Sequence, residues 1–95
     1  MNKYNKPTLL KLEQIFKEID YHVRYEKGTF NSGYCIVENA KVVVVNKFFD
    51  TEGRVNVLLE ILSDIMEDDR ILTEKSRLFY RQLIKNQHNL HNPLV

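Results

Sequence analysis

A chain of 95 residues, 43% hydrophobic and 28% charged, has room for one domain and can bury a modest core, which excludes a disordered or two-domain protein. The formal net charge of +1 argues neither for nor against a polyanionic partner. A single cysteine, Cys35, excludes an intramolecular disulfide, and no run approaches the ~20 apolar residues that a membrane-crossing helix needs.

Residues 1–6 read as a flexible terminus with no apolar stretch of signal-sequence length, so the expected compartment is the cytoplasm. The first predicted element is a helix from Pro7 to Ile19. Proline suits a first helical turn, where its missing N–H has no partner to lose. Leu12, Ile15, Phe16 and Ile19 fall at i, i+3, i+4 and i+7, which makes one apolar stripe, and Glu13 and Lys17 form an i, i+4 ion pair away from it.

From Tyr21 the period changes to two. Tyr21, Val23 and Tyr25 alternate with His22, Arg24 and Glu26, the pattern of a half-buried strand. The turn-forming stretch Gly28–Gly33 reads as a loop, Tyr34–Val37 as a second strand, and Lys41–Lys47 as a third. Short connections predict an antiparallel three-stranded meander. With Asn39-Ala40 as a two-residue hairpin loop, Val37 faces Val42, Ile36 faces Val43, Cys35 faces Val44 and Tyr34 faces Val45. One face of the hairpin then carries Cys35, Val37, Val42 and Val44, the other Tyr34, Ile36, Val43 and Val45. Both are apolar, so something is expected to cover each: either the last helix or a second copy of the chain.

A long helix is predicted from a cap at Asp50 or Thr51, with Val55, Leu58, Leu59, Leu62, Ile65 and Met66 at helical spacing. Glu67-Asp68-Asp69 sits where the helix dipole disfavours negative charge and helps to end it. A third helix is predicted over Thr73–Lys85, with Leu78, Phe79 and Leu83 inward. The expected fold is therefore α+β, order α-β-β-β-α-α, one domain over residues 7–85, with a polar tail from 86 to 95 that contains Pro93. Charge is uneven: residues 51–69 carry net −5 and residues 70–95 net +4.

No constellation of residues points to catalysis, a cofactor or a metal. Cys35 lies mid-strand on an aliphatic face, where a buried structural thiol is expected rather than a nucleophile. The Gly28–Gly33 loop joins two strands and lacks the Gly-Lys-Ser/Thr ending of a phosphate loop. His88 and His91 have no cysteine or carboxylate beside them in sequence, and His22 reads as a surface residue. The basic residues Arg70, Arg77, Arg81 and Lys85, with Arg24 on the first strand, are candidate nucleic-acid contacts. The competing account pairs that stripe with Glu60, Asp64, Glu67 and Asp68 on the preceding helix.

The α-β-β-β-α order over residues 7–67 resembles the double-stranded-RNA-binding domain, which implies a meander with two flanking helices. Its Lys-Lys-x-Ala-Lys phosphate grip is replaced here by Thr51-Glu52-Gly53-Arg54-Val55-Asn56, and the histidine-bearing loop of that family by Gly28–Gly33. The string Gly28-Thr29-Phe30-Asn31-Ser32-Gly33-Tyr34-Cys35, with Asn46-Lys47-Phe48-Phe49 and Thr51-Glu52-Gly53-Arg54, is similar to a family of small bacterial proteins to which no activity attaches; it implies a bacterial cytoplasmic origin. The expectation for function is a small non-enzymatic module that binds another protein or itself, through Tyr34, Ile36, Val43 and Val45. The alternative is a nucleic-acid-binding module that uses the basic third helix.

Overall fold

The computed structural model of the chain describes residues 4–27, 34–37 and 39–91, and within these the side chains of 34 and 87–91 are not described. Three helices and three strands follow the expected order: α1 (Lys6–Glu18), β1 (His22–Glu26), β2 (Tyr34–Val37), β3 (Val42–Asn46), α2 (Thr51–Ile65), a short 3₁₀ turn (Asp69–Ile71) and α3 (Glu74–His91).

Local chemistry sets most boundaries. Asn5 caps α1 by accepting a hydrogen bond from the Thr8 N–H at 3.1 Å. The helix closes in a Schellman turn: the Tyr21 N–H donates to the Phe16 carbonyl at 2.8 Å and the Asp20 N–H to the Lys17 carbonyl at 3.0 Å, with Asp20 left-handed at φ 67°. That turn reverses the chain straight into β1. Asp50 caps α2 through the Gly53 N–H at 2.8 Å. A β-carbon on Gly53 would lie 3.1 Å from the Asp50 carboxylate, so the small residue lets the cap close. α2 ends before the acidic cluster, as the dipole argument requires.

The sheet departs from the expected antiparallel meander. Its order is β1-β3-β2, with β2–β3 antiparallel and β1–β3 parallel, so it is mixed. The hairpin register agrees with the sequence deduction pair for pair, Val37 to Val42 through Tyr34 to Val45. β1, however, joins the far edge of β3, in the register His22 to Val42 through Glu26 to Asn46. The reason lies in β3 itself. A run of four valines gains most as the central strand, where neighbours on both sides shelter its side chains, whereas the charged alternation of β1 is suited to an edge. This order also breaks the likeness to the double-stranded-RNA-binding domain, whose meander keeps its strands in sequence order.

One face of the sheet carries the core. Val43 and Val45 are fully buried with Leu12, Ile15 and Phe16 of α1 and Val55, Leu58, Leu59, Ile61 and Leu62 of α2. Ile36, Val23 and Tyr25 pack against this cluster, and Leu72, Leu83, Phe79 and Tyr80 extend it under α3. α2 is buried on two sides, since Ile61 lies off the stripe of Val55, Leu58 and Leu62. α3 seats on α1: the Glu18 carboxylate accepts from the Thr73 N–H at 2.9 Å and the Ser76 hydroxyl at 2.7 Å, and the Lys11 ammonium lies 5.2 Å from the Phe79 ring centre. α3 also runs past the expected end at Lys85, as far as His91. No Pro or Gly interrupts it before Pro93, and low-propensity residues such as Asn and His cost too little to stop a helix already formed.

Candidate interaction surface on the open face of the sheet

Because successive residues of a strand point to opposite faces, burying Val43 and Val45 turns Val42 and Val44 the other way. Sharing that face are Cys35 and Val37 of β2, and His22, Arg24 and Glu26 of β1. α1, α2 and α3 all lie on the core side, so none covers this second face among the described residues. Val37 is 46% exposed, Cys35 is exposed, and Val42 and Val44 are partly exposed.

Two expectations are corrected here. The predicted interface of Tyr34, Ile36, Val43 and Val45 is the core face: Val43 and Val45 are fully buried, Ile36 packs on the same cluster, and the Tyr34 side chain lies outside the described residues. Cys35 is exposed rather than buried, because the strand parity that buries Ile36 sends its neighbour outward. Of the two covers expected for the second face, the last helix supplies none, since it packs with α1 and α2 on the core side. Flanking strands already shelter much of Val42 and Val44, so leaving that face open costs less than four bare side chains would.

A cluster of polar groups holds the strand ends beneath this face. The Tyr25 hydroxyl donates to the Glu13 carboxylate, and the Arg54 guanidinium stacks 4.3 Å from the Tyr25 ring centre. Arg54 Nη2 donates to the Lys47 carbonyl at 2.7 Å and Nε to the Phe49 carbonyl at 3.0 Å. Burial, then the Glu13 acceptor, push the Tyr25 phenol above its ordinary range. The arrangement pins the β3–α2 connection to β1 and α1. Its donors and acceptors are spent on one another, which is the chemistry of a clamp.

The sequence-predicted basic residues do not converge on one free stripe. Arg24 pairs with Glu26, Arg70 with Asp68 at 2.8 Å, and Arg81 with Asp69 at 2.7 Å. The Arg70 guanidinium and N–H hold the Asp68 carboxyl down at about 2, and the hydrogen bond from Arg81 lowers Asp69 as well. Arg77 is half-buried and acts electrostatically on Asp69, while Lys85 is exposed. Acidic and basic segments thus meet within the chain, through Asp68 and Asp69 at the turn before α3. No family model matches this chain, and no curated protein or solved structure shows significant similarity to it.

The remaining sequence candidates are placed as follows. Gly28–Gly33 lies outside the described residues, as do the side chains of His88 and His91. His22 is exposed on the open face. Among the described residues no three His, Cys, Asp or Glu side chains gather as a metal site, and no helix is long and apolar enough to cross a membrane. The open-face set of Cys35, Val37, Val42 and Val44 was visible in the sequence as one of two equivalent faces. What separates them is the register of β1, whose charged residues share the open side.

Proposed function

We propose that this chain is a small non-enzymatic protein-interaction module that docks a partner protein on the open face of its sheet. The observation that carries the reading is the Cys35, Val37, Val42 and Val44 patch, apolar and with no element over it among the described residues, bordered by the polar row of His22, Arg24 and Glu26. An apolar centre with a charged rim is the anatomy of a protein interface. From strand spacing and rise, three short strands present roughly 200 Å², well below the ~800 Å² per partner of a stable complex, so the contact is a brief one. Pairing of Arg24, Arg70 and Arg81 with carboxylates favours this reading over nucleic-acid binding, because phosphate contacts would first have to displace those partners.

The unique cysteine makes the test specific. A benzophenone attached to Cys35 sits on the patch; the same label on Ser63→Cys in a Cys35→Ser background sits on an exposed part of α2. Irradiation in cell extract is expected to give a discrete adduct from the first position and not the second, and Val44→Glu is expected to remove it. Equal labelling from both positions refutes the assignment.

A further inference from the structure

β1 is an edge strand whose outward polar groups can be identified. The His22 N–H donates to the Lys41 carbonyl at 2.8 Å, and the Lys47 N–H donates to the Glu26 carbonyl at 3.1 Å. In a parallel ladder this parity spends the backbone groups of His22, Arg24 and Glu26 on β3. The N–H and carbonyl groups of Val23 and Tyr25 therefore point away from the sheet. Alongside them runs a groove of about 330 Å³, bounded on its other side by Leu10, Glu13, Gln14 and Lys17 of α1. The edge is held in place, because Tyr25 is clamped between Glu13 and Arg54.

We infer that β1 pairs antiparallel with β1 of a second copy of this chain, about a twofold axis at Tyr25, joining two sheets into one of six strands. The charges on the edge decide the occupant and the register. An antiparallel pairing must oppose outward-pointing residues, which leaves three registers centred on an interior residue of the strand. Centred on Val23, it sets His22 against Arg24 and Glu26 against Asp20. Centred on Arg24, it sets that arginine against its own copy. Centred on Tyr25, it sets Arg24 against Glu26 of the second copy and Glu26 against Arg24 of the second copy, at the closely spaced sites where side chains interact most strongly. Since Arg24 and Glu26 already touch within one chain, the result is a ring of four alternating charges.

Charges on an edge strand ordinarily repel other strands. This pattern is complementary to itself in one register, as a twofold interface requires, and opposes like charges in the other two. The charged side of α1 follows the same rule, since Glu13 and Lys17 stand one helical turn apart and bring opposite charges together when the helix meets its own copy reversed. Tyr25 N–H and carbonyl exchange two hydrogen bonds across the axis, and Val23 exchanges two more with Lys27 of the second copy on each side. This surface is separate from the open face, and the pairing stands whether or not that face takes a partner.

Charge-swapped chains test this in sedimentation equilibrium on the full protein. Wild type is expected to show a species of twice 11.3 kDa. Arg24→Glu and Glu26→Arg each place four like charges around the axis and are expected to weaken dimerisation by about tenfold. Both side chains are largely exposed, at 54% and 42%, so circular dichroism is expected to show folded chains. An equimolar mixture of the two variants restores opposite charges and is expected to recover the dimer as a heterodimer. A wild type that stays monomeric at every soluble concentration overturns the inference, as does a dimer that neither variant weakens or a mixture that fails to re-form it.

Discussion

Val43 and Val44 are chemically identical neighbours that the structure places in opposite surroundings, which gives the sheest test of the face assignment through Val→Thr substitution. Threonine keeps the shape and strand preference of valine, so cavity and propensity effects drop out and only the hydroxyl's surroundings differ. At Val43, fully buried between strands and helices, the hydroxyl has no apolar-core partner and costs about 2–3 kcal/mol. At Val44, partly exposed on the open face, it reaches water and costs about 0.5 kcal/mol or less. For a domain of this size 1 kcal/mol moves the midpoint by roughly 4–8 °C, so Val43→Thr is expected to melt about 10–20 °C lower and Val44→Thr within a few degrees of wild type. Urea titration by circular dichroism supplies the free energies independently. Equal losses at the two positions, or a larger loss at Val44, would mean that the sheet faces the helices with its other side, and the interaction surface would fall with it.

Arg54→Lys keeps the charge but lacks the planar fork that reaches the Lys47 and Phe49 carbonyls while stacking on Tyr25; a loss of about 1–2 kcal/mol in urea unfolding is expected, and a neutral result would deny the clamp. Glu18 ties α1 to the start of α3. Burial raises its pKa, but the hydrogen bonds from the Thr73 N–H, Ser76, Gln14 and the Thr73 hydroxyl outweigh that and leave it below the ordinary carboxylate range. Its stabilisation is therefore present above the unfolded-state pKa and is lost as pH falls through the lower folded-state value. Glu18→Gln is expected to lower stability at pH 7 and to flatten the acid limb below about pH 4.5; an acid limb identical to wild type would refute this. Cys35 is expected to react with a thiol-disulfide reagent in the native state at a rate close to that in urea, and reaction only after unfolding would contradict its exposure.

What the sequence discloses here is what short-range chemistry controls. The α1 stripe at Leu12, Ile15 and Phe16, the Asp50 cap and the hairpin register each depend on residues a few positions apart, and each appears where expected. The position of β1 depends on competition for the two edges of β3, and β1's own alternation suits either outcome. Once that edge is chosen, the paired register fixes which valines share a side with Arg24; before it, the two faces of the hairpin are equivalent. The exposure of Cys35 has the same origin, since its neighbours in sequence predict burial while parity across the sheet decides it. Aliphatic character on both sides of β3 goes with its place as the central strand.

The parallel pairing has a further consequence for how the molecule assembles. Partners in the β2–β3 hairpin lie between 5 and 11 positions apart, Val37 to Val42 and Tyr34 to Val45, whereas every β1–β3 partner lies 20 positions away. Closing the larger loop costs more chain entropy, so the hairpin is expected to form early and β1 to dock afterwards, carried in by α1 through the reversal at Asp20. In stopped-flow experiments, truncating Ile36 should then slow refolding, while truncating Val23 should chiefly hasten unfolding. The strand last to arrive would be the one whose free border meets the second copy, so that subunit association completes the same sheet that folding began.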